Sequence, residues 1–593
     1  MLNLGLSRLC LPRRARKGPD VPVALSVVLV AALTLTAASP ARGADYHVGV
    51  DQPFATIDAA MTASSAGDRI VLHSGEHRGS FRWNRAVDIV EADGADAVYV
   101  PSDGGSFAVE IHLSGTASAV WDGVDVRYES SSFTRLFLKR DDSHFSVVRF
   151  KNMRVTDTSE SGSSVNRLRL FTTEKGAMNL EHVEIDLAST IFDAYEMILG
   201  VMGDGATMQI TDCEVSASAS SLVTVEGASA DLDGQRCSFL QLGGAGRFVA
   251  DLLQGGDVQF HACHFAGPDA DRGIVCRGFG ALDLRFHYCT WDTDTIWQPV
   301  VLEKALALTM INCCVPHDPG GVTSSILNLQ CGSDGRCHVN PTSTILLIHS
   351  TFSCTSPSTE SAGIRSAAPS GRMTRIHVYN CIFYLPGSTA GAVADGDATW
   401  QGEIEVHAGT NLRWLDGAVA EDDYLDGITG STLIEADPAI EADHCHIGPQ
   451  SAAREQATEL EDSVETDVDG EFRPQDTLPD LGADELRTSP LVGFLRGDTD
   501  LSAVVDLTDP LSTLEYLFLG TFSPRCHDAM DANDDEQADI SDVLATLGFL
   551  FLGNFDIPWP GTRQCGWDLE TSPDSLSCDG ALTADECSTP PGQ

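Results

Sequence analysis

Basic residues are scarce in this chain: 37 Lys and Arg stand against 86 Asp and Glu over 593 residues, a formal net charge of −49. Nucleic acid and anionic membrane are thereby excluded as partners, because both need a basic footprint that displaces counterions. Aromatic residues are also few, at 7%, yet 42% of the chain is hydrophobic, which is too apolar for disorder. Beyond residue 38 there is no long apolar run, so no membrane insertion is expected once a leader is removed. The length excludes a single compact core.

What is present begins with that leader. Arg8, Arg13, Arg14, Arg16 and Lys17 precede the apolar stretch Val21 to Ala38, and Ala41-Arg42-Gly43 supplies small residues for cleavage. This is the order of an export signal, with an uncleaved anchor helix as the alternative. The mature protein is expected to be secreted or held at the cell surface, where disulfides form.

A repeat follows. The frame apolar, any, any, Cys or apolar, any, apolar recurs at Trp121 to Val126, Phe150 to Val155, Leu180 to Ile185, Ile210 to Val215, Phe260 to Phe265, Phe286 to Trp291, Met310 to Val315, Leu347 to Phe352 and Val378 to Phe383. Its fourth position runs Val124, Met153, Val183, Cys213, Cys237, Cys263, Cys289, Cys313, Ser350 and Cys381. A second apolar column passes through Leu138, Leu168, Ile198, Val223, Val249, Val275 and Val301. A period of roughly 25 to 30 residues with alternation inside each segment is what a stacked parallel solenoid requires; helical repeats would show i, i+3, i+4 spacing instead. With strands about 4.8 Å apart, some ten coils make a rod on the order of 50 Å long.

These columns resemble the right-handed parallel β-helix proteins of the pectin-lyase-like superfamily, over roughly residues 46 to 485. Phe54 to Ala60 resembles the family's N-terminal capping helix, Gly67 to Leu72 its first strand, and Ser74-Gly75-Glu76-His77 the turn after it. Asp437-Pro438, Thr466 to Pro474 and Pro479 to Glu485 resemble the closing segment of many secreted bacterial β-helix proteins. The resemblance implies a mainly β solenoid and points to glycans, without naming one. The arginine-rich and calcium-aspartate motifs of pectate lyases are not recognisable, nor are the aspartate and Gly-His-Gly motifs of polygalacturonases.

The cysteine column reads first as stacked inward thiols acting as small hydrophobes. Parallel side chains one coil apart are poorly placed for a disulfide, and Cys331 with Cys337 is the better candidate for a bridge. His261 and His287, one coil apart, and His264 read as surface histidines, with metal or sugar binding as the alternative.

Catalysis on a rod must come from outward side chains on adjacent coils. Arg135, Lys139, Arg140, Arg149, Lys151, Arg154, Arg167 and Arg169 form a basic cluster in an otherwise acidic chain. With Val148, Phe150, Leu168 and Leu170 inward, Arg149, Lys151, Arg167 and Arg169 point outward. They could clamp the carboxylate or sulfate of an acidic glycan, or supply a base for β-elimination; a solvated patch balanced by Asp141, Asp142 and Glu174 is the alternative.

The last hundred residues carry a duplication. Asp498, Asp500, Ser502, Val504, Asp506 and Asp509 offer oxygens at positions 1, 3, 5, 7, 9 and 12 of a calcium loop, and thirty-three residues on Asp531, Asn533, Asp535, Gln537, Asp539 and Asp542 do the same. Ca²⁺ takes six to eight hard oxygens, and this spacing wraps them around one point. A helix is expected after each loop, Leu511 to Gly520 and Leu544 to Gly553. Asp at position 12 and the tandem arrangement resemble dockerin modules, which plug polysaccharide-degrading enzymes into cohesin partners. Position 6, normally Gly, is Ala503 and Glu536, and Ser502 ranks the first loop below the second. A helix pair held by Cys526, Cys565, Cys578 and Cys587 with little or no calcium is the alternative.

The expected organisation is a signal at 1–43, a β-helix with its cap at 44–411, the end of the helix and a linker at 412–490, and a dockerin-like, EF-hand-type α-helical module with a Cys-containing tail at 491–593. Two functions fit: an exported protein that binds, or as a lyase or hydrolase degrades, polysaccharide while tethered through Ca²⁺ and a cohesin-like protein, or a non-catalytic surface protein whose β-helix is a spacer.

Overall fold

The structure is a computed structural model. It describes residues 43–565 and 582–583, apart from 102–106, 130–134, 141–144, 158–167, 188–194, 228, 243–247, 254–255, 268–271, 277–282, 293–298, 303–306, 318–324, 330–341, 358–361, 367–372, 396–402, 418–422, 459, 461–463, 472, 476–477, 487–490, 536, 553–554, 556, 559–560 and 563–564. The export signal, Arg167, Cys331, Cys337, Glu536, Cys578 and Cys587 lie outside the described residues. Among those described, no helix is long and apolar enough to cross a membrane.

The chain is mainly β and winds into a parallel solenoid with three faces. Face I runs from Asp45–Val48 to Glu403–Ala408, face II from Gly75–Gly79 to Thr432–Glu435, and face III from Phe81–Trp83 to Val393–Asp395. Val147–Asp157 and Ala177–Leu187 each continue from face I into face II, so these two faces form one 26-stranded sheet beside the 12-stranded sheet of face III. Each strand pairs in parallel with its counterpart one coil on, as the apolar repeat requires.

The inward column of face I is Trp121, Phe150, Leu180, Ile210, Gly234, Phe260, Phe286, Met310, Leu347 and Val378. Its members other than Gly234 are at most 1% exposed, and each large one contributes about 1.5 to 3 kcal/mol of apolar burial. A Cβ at Gly234 would lie 2.8 Å from the Phe260 ring, so glycine here makes room for the aromatic beneath it. On face II the column passes through Phe239 and Phe265, whose rings stack at 5.5 Å.

Face III departs from the expected register. Its inward column is Phe137, Phe171, Leu199, Val223, Ala250, Ile274 and Val300, whereas Leu138 sits opposite Thr172 and Leu168 opposite Tyr195. The reason is physical. Successive residues such as Leu136, Phe137, Leu138 and Lys139 are all buried, so the strand lacks the alternation that marks register in a sequence.

At the corner between faces I and II one residue per coil adopts a left-handed conformation: Asn152, His182, Asp212, Arg236, Ala262, Tyr288, Asn312, His349 and Asn380, with φ between 44° and 57°. The N–H of Arg236, for example, donates to His261 O of the next coil at 2.9 Å. The cysteine column follows immediately. Cys289 Sγ donates to His287 O and Phe260 O, both at 3.4 Å, and Cys313 Sγ to Ile311 O and Phe286 O at the same distance. Ser350 Oγ donates to Ile348 O at 3.0 Å. The thiols are therefore donors to corner carbonyls as well as small inward hydrophobes.

A helix at Ile57–Ala63, N-capped by Thr56 Oγ1 accepting from Ala59 N, packs Ile57, Ala60 and Met61 onto the first coils. At the other end, parts of residues 437–486 pack on the corner between faces I and II. Ser353 Oγ donates to His444 O at 2.8 Å, Asn380 Nδ2 to Thr458 O at 2.8 Å, and Ala483 N to Thr351 Oγ1 at 2.9 Å. Cys314 and Cys445 form a disulfide that nothing in the cysteine spacing marked. Inside this strap the Arg473 side chain is fully buried, paired with Glu485 at 3.3 Å, and donates to Asp480 O and Gly482 O. The Asp467 carboxylate accepts from the N–H groups of Asp469, Glu471 and Glu485. The closing segment is thus a latch across several coils.

Candidate functional sites

The basic cluster divides between faces. Arg149 and Lys151 project from face I strand Val147–Asp157, while Arg169 is on face III, where it pairs with Arg135 in register. Most of the cluster is neutralised. Lys151 pairs with Glu181, Arg154 with Glu184 at 2.9 Å, Arg140 with Glu174 at 2.6 Å, and Arg169 with Glu196 at 2.9 Å. Glu174 is held below the usual carboxylate range by its bond to Arg140. Lys139 is fully buried, donating to Ser146 Oγ at 2.7 Å. Among the described residues Arg149 alone of the outward candidates makes no ion pair.

Arg149 opens a polar groove of about 480 Å³ on face I, together with Asn179, Gln209, Asp233 and Gln259. These side chains occupy one register position on successive coils, so they repeat about every 4.8 Å. Asn179 Nδ2 donates to Gln209 Oε1 at 2.9 Å. The column continues to His377 and His407, which stack with centroids 4.8 Å apart. Sequence reasoning missed this amide column because each member alone is an ordinary surface residue. His261 and His287 lie with centroids 6.4 Å apart, and burial pushes both below the ordinary histidine range. His264 is on face II, bonded to Thr290 Oγ1 at 2.9 Å.

In the first C-terminal loop, Asp498, Asp500 and Asp509 each present an oxygen within 4.8 Å of the others. The backbone holds them there: Ser502 N and Ala503 N donate to Asp498 at 2.9 and 2.8 Å, and Asp506 N donates to Asp509 Oδ2 at 2.8 Å. Asp498 and Asp509 are fully buried, and burial, then repulsion from neighbouring carboxylates, Asp500 for both, pushes both up to about 7. Such a set fits a hard divalent cation; Asp506 instead accepts from Thr508 N and Oγ1, each at 2.7 Å. Ala503 has φ +66°, so the sharp turn is kept without glycine.

The second loop repeats the frame. Asp539 N donates to Asp542 Oδ2 at 2.8 Å, and Asp531 Oδ1 accepts from Asp534 N at 2.9 Å. Here Asn533 Nδ2 turns to Asp535 and Ser541, and Gln537 is exposed. Among the described carboxylates, three converge within 4.8 Å of one another in the first loop.

The helices begin at Thr508 and Ile540, earlier than expected, and each widens into a π-helical turn, Glu515–Leu519 and Gly548–Leu552, a form common at functional sites. They expose matched apolar side chains: Leu507 and Ile540, Leu511 and Leu544, Phe518 and Phe551, Leu519 and Leu552, all 46–71% exposed. Cys526 and Cys565 are disulfide-bonded.

No family model and no curated protein matches the chain. Among solved structures, the crystal structure of pectate lyase Pel9A aligns over 75% of this chain and 96% of its own, at 13% identity and a TM-score of 0.32.

Proposed function

We propose that the chain is an exported β-helix protein that binds polysaccharide and is tethered by a calcium-dependent, dockerin-like module at its C-terminus. The observation that carries the reading is the duplicated module, in which a carboxylate-lined loop precedes each of two helices exposing the same apolar positions. Exposed apolar patches of this kind serve protein docking, and a cohesin-like protein is the partner we propose. Calcium supplies the charge that lets the buried carboxylates stay ionised, while the chain's own work is to fix the loop backbone and so the apolar faces. The β-helix contributes the face I groove, where Arg149 and the amides of Asn179, Gln209 and Gln259 stand beside Asp231, Asp233 and Asp257 and suit a hydroxyl-bearing polymer.

Catalysis is the weaker part. The pairing of Lys151 with Glu181 and Arg169 with Glu196 leaves these groups without the free lone pair that a base requires, which favours binding or the spacer reading over cleavage. The test is affinity electrophoresis of the full chain through gels containing neutral or acidic polysaccharides. Retardation by a polysaccharide, reduced in Arg149→Ala, supports the groove. Equal mobility in every gel leaves the rod as a spacer.

A further inference from the structure

The two C-terminal loops are joined by a buried charge that neither ligand set uses. Arg496 lies two residues ahead of Asp498, the first position of the first loop, and its side chain is fully buried. Nη1 donates to Asp531 O at 2.8 Å, Nη2 meets Asp534 Oδ1 at 2.7 Å, and the guanidinium lies over the Phe494 ring, 5.7 Å from its centroid. Asp531 and Asp534 are positions 1 and 4 of the second loop. The backbone reinforces this tie, with Gly497 N donating to Ala529 O at 2.7 Å.

Position 4 of the first loop answers from the other side. Leu501 packs on a small core of Phe494, Cys526 and Ala529, the last two standing just ahead of the second loop. Leu501 and Asp534 both have left-handed backbones, with φ of 53° and 61°, and each turns its side chain into the shared seam. The tie is one-sided in sequence, since the residue thirty-three positions after Arg496 is Ala529. A guanidinium taken out of water needs all its partners in place, so the conformation of the second loop and that of the strand entering the first are set together.

We propose that Arg496 is a positioning residue that couples the two loops, so that filling either one with Ca²⁺ raises the affinity of the other. This rests on the calcium reading above. Coupling between binding sites is reciprocal and commonly amounts to about five- to a hundredfold.

The test is calorimetric titration of the full chain with CaCl₂. In Asp500→Ala, which removes a first-loop ligand, the remaining site should bind about tenfold more weakly than the second site of the unmodified chain. On an Arg496→Met background the same substitution should change that affinity less than about twofold. Asp534→Asn, which removes the exposed-side partner and keeps the guanidinium, should reduce the coupling in part and decides the matter if Arg496→Met no longer binds at either loop. An effect of Asp500→Ala that is the same in the otherwise unmodified chain, on the Arg496→Met background and on the Asp534→Asn background overturns the inference. No calcium uptake by any chain overturns the calcium reading itself.

Discussion

The corner between faces I and II shows why cysteine recurs there. Where the residue after a left-handed turn is Cys or Ser350 it points inward and also donates to a corner carbonyl; Val124, Met153 and Val183 fill the same column by apolar burial alone. Cys289→Ala should cost about 1 to 2 kcal/mol in urea unfolding through the lost donor and volume, with Cys289→Ser closer to the unmodified chain. A serine variant less stable than the alanine one would remove the hydrogen-bonding role. Burial pushes Cys381 up to about 12 and Cys289 above its usual range, so these two thiols stay protonated. The column and its inward direction were legible in the sequence; its donor role was not, because hydrogen bonds of a thiol leave no mark on spacing.

His446 is a second residue-scale case. Asp469, at 2.6 Å, and Asp443 raise it to about 10. An imidazole whose folded value lies above its unfolded value of about 6.5 contributes fully below that pH, and the contribution is lost as pH rises toward 10. The thermal midpoint should therefore fall more between pH 6 and pH 10 in the unmodified chain than in His446→Gln. Equal falls in the two would contradict the pairing.

At the scale of elements, alternation decides what a sequence reveals. Faces I and II alternate, and their inward columns could be read from Trp121 to Val378 except at Gly234, where glycine breaks the apolar frame. Face III is buried on both sides of its strands, so Leu138 and Leu168 were legible as apolar but not as members of different columns. The basic cluster split for the same reason, since Arg149 and Arg169 are twenty residues apart yet on different faces. The strap was recognisable as a motif, while its docking on the corner was not, because Asn380 and Thr458 are distant in sequence. Asp423 locks the end of face III: it accepts from Ala392 N, Val393 N and Leu425 N and pairs with the buried Arg413 at 2.7 Å. Asp423→Ala should cost about 3 to 5 kcal/mol and speed hydrogen exchange at the Ala392 and Val393 amides. Unchanged exchange there would show the pair to be dispensable.

For the molecule as a whole, the rod and the C-terminal module handle charge in two different ways. On the rod, Lys and Arg are matched by carboxylates one coil away, so little net field remains on faces I and III near the basic cluster. In the module, carboxylates are gathered and buried without enough cations of the chain's own; Arg496 faces the backbone of the second loop and Asp534, outside the ligand set. That imbalance, together with the matched apolar faces at Phe518 and Phe551, is the physical basis for a metal-dependent tether. The most direct measurement is the number of Ca²⁺ bound by the full chain in calorimetric titration at neutral pH. Two equivalents, falling to one in Asp509→Ala or Asp542→Ala and to none when both are replaced, are expected. Absence of any binding heat, with no change in thermal midpoint on adding a chelator, would contradict the account.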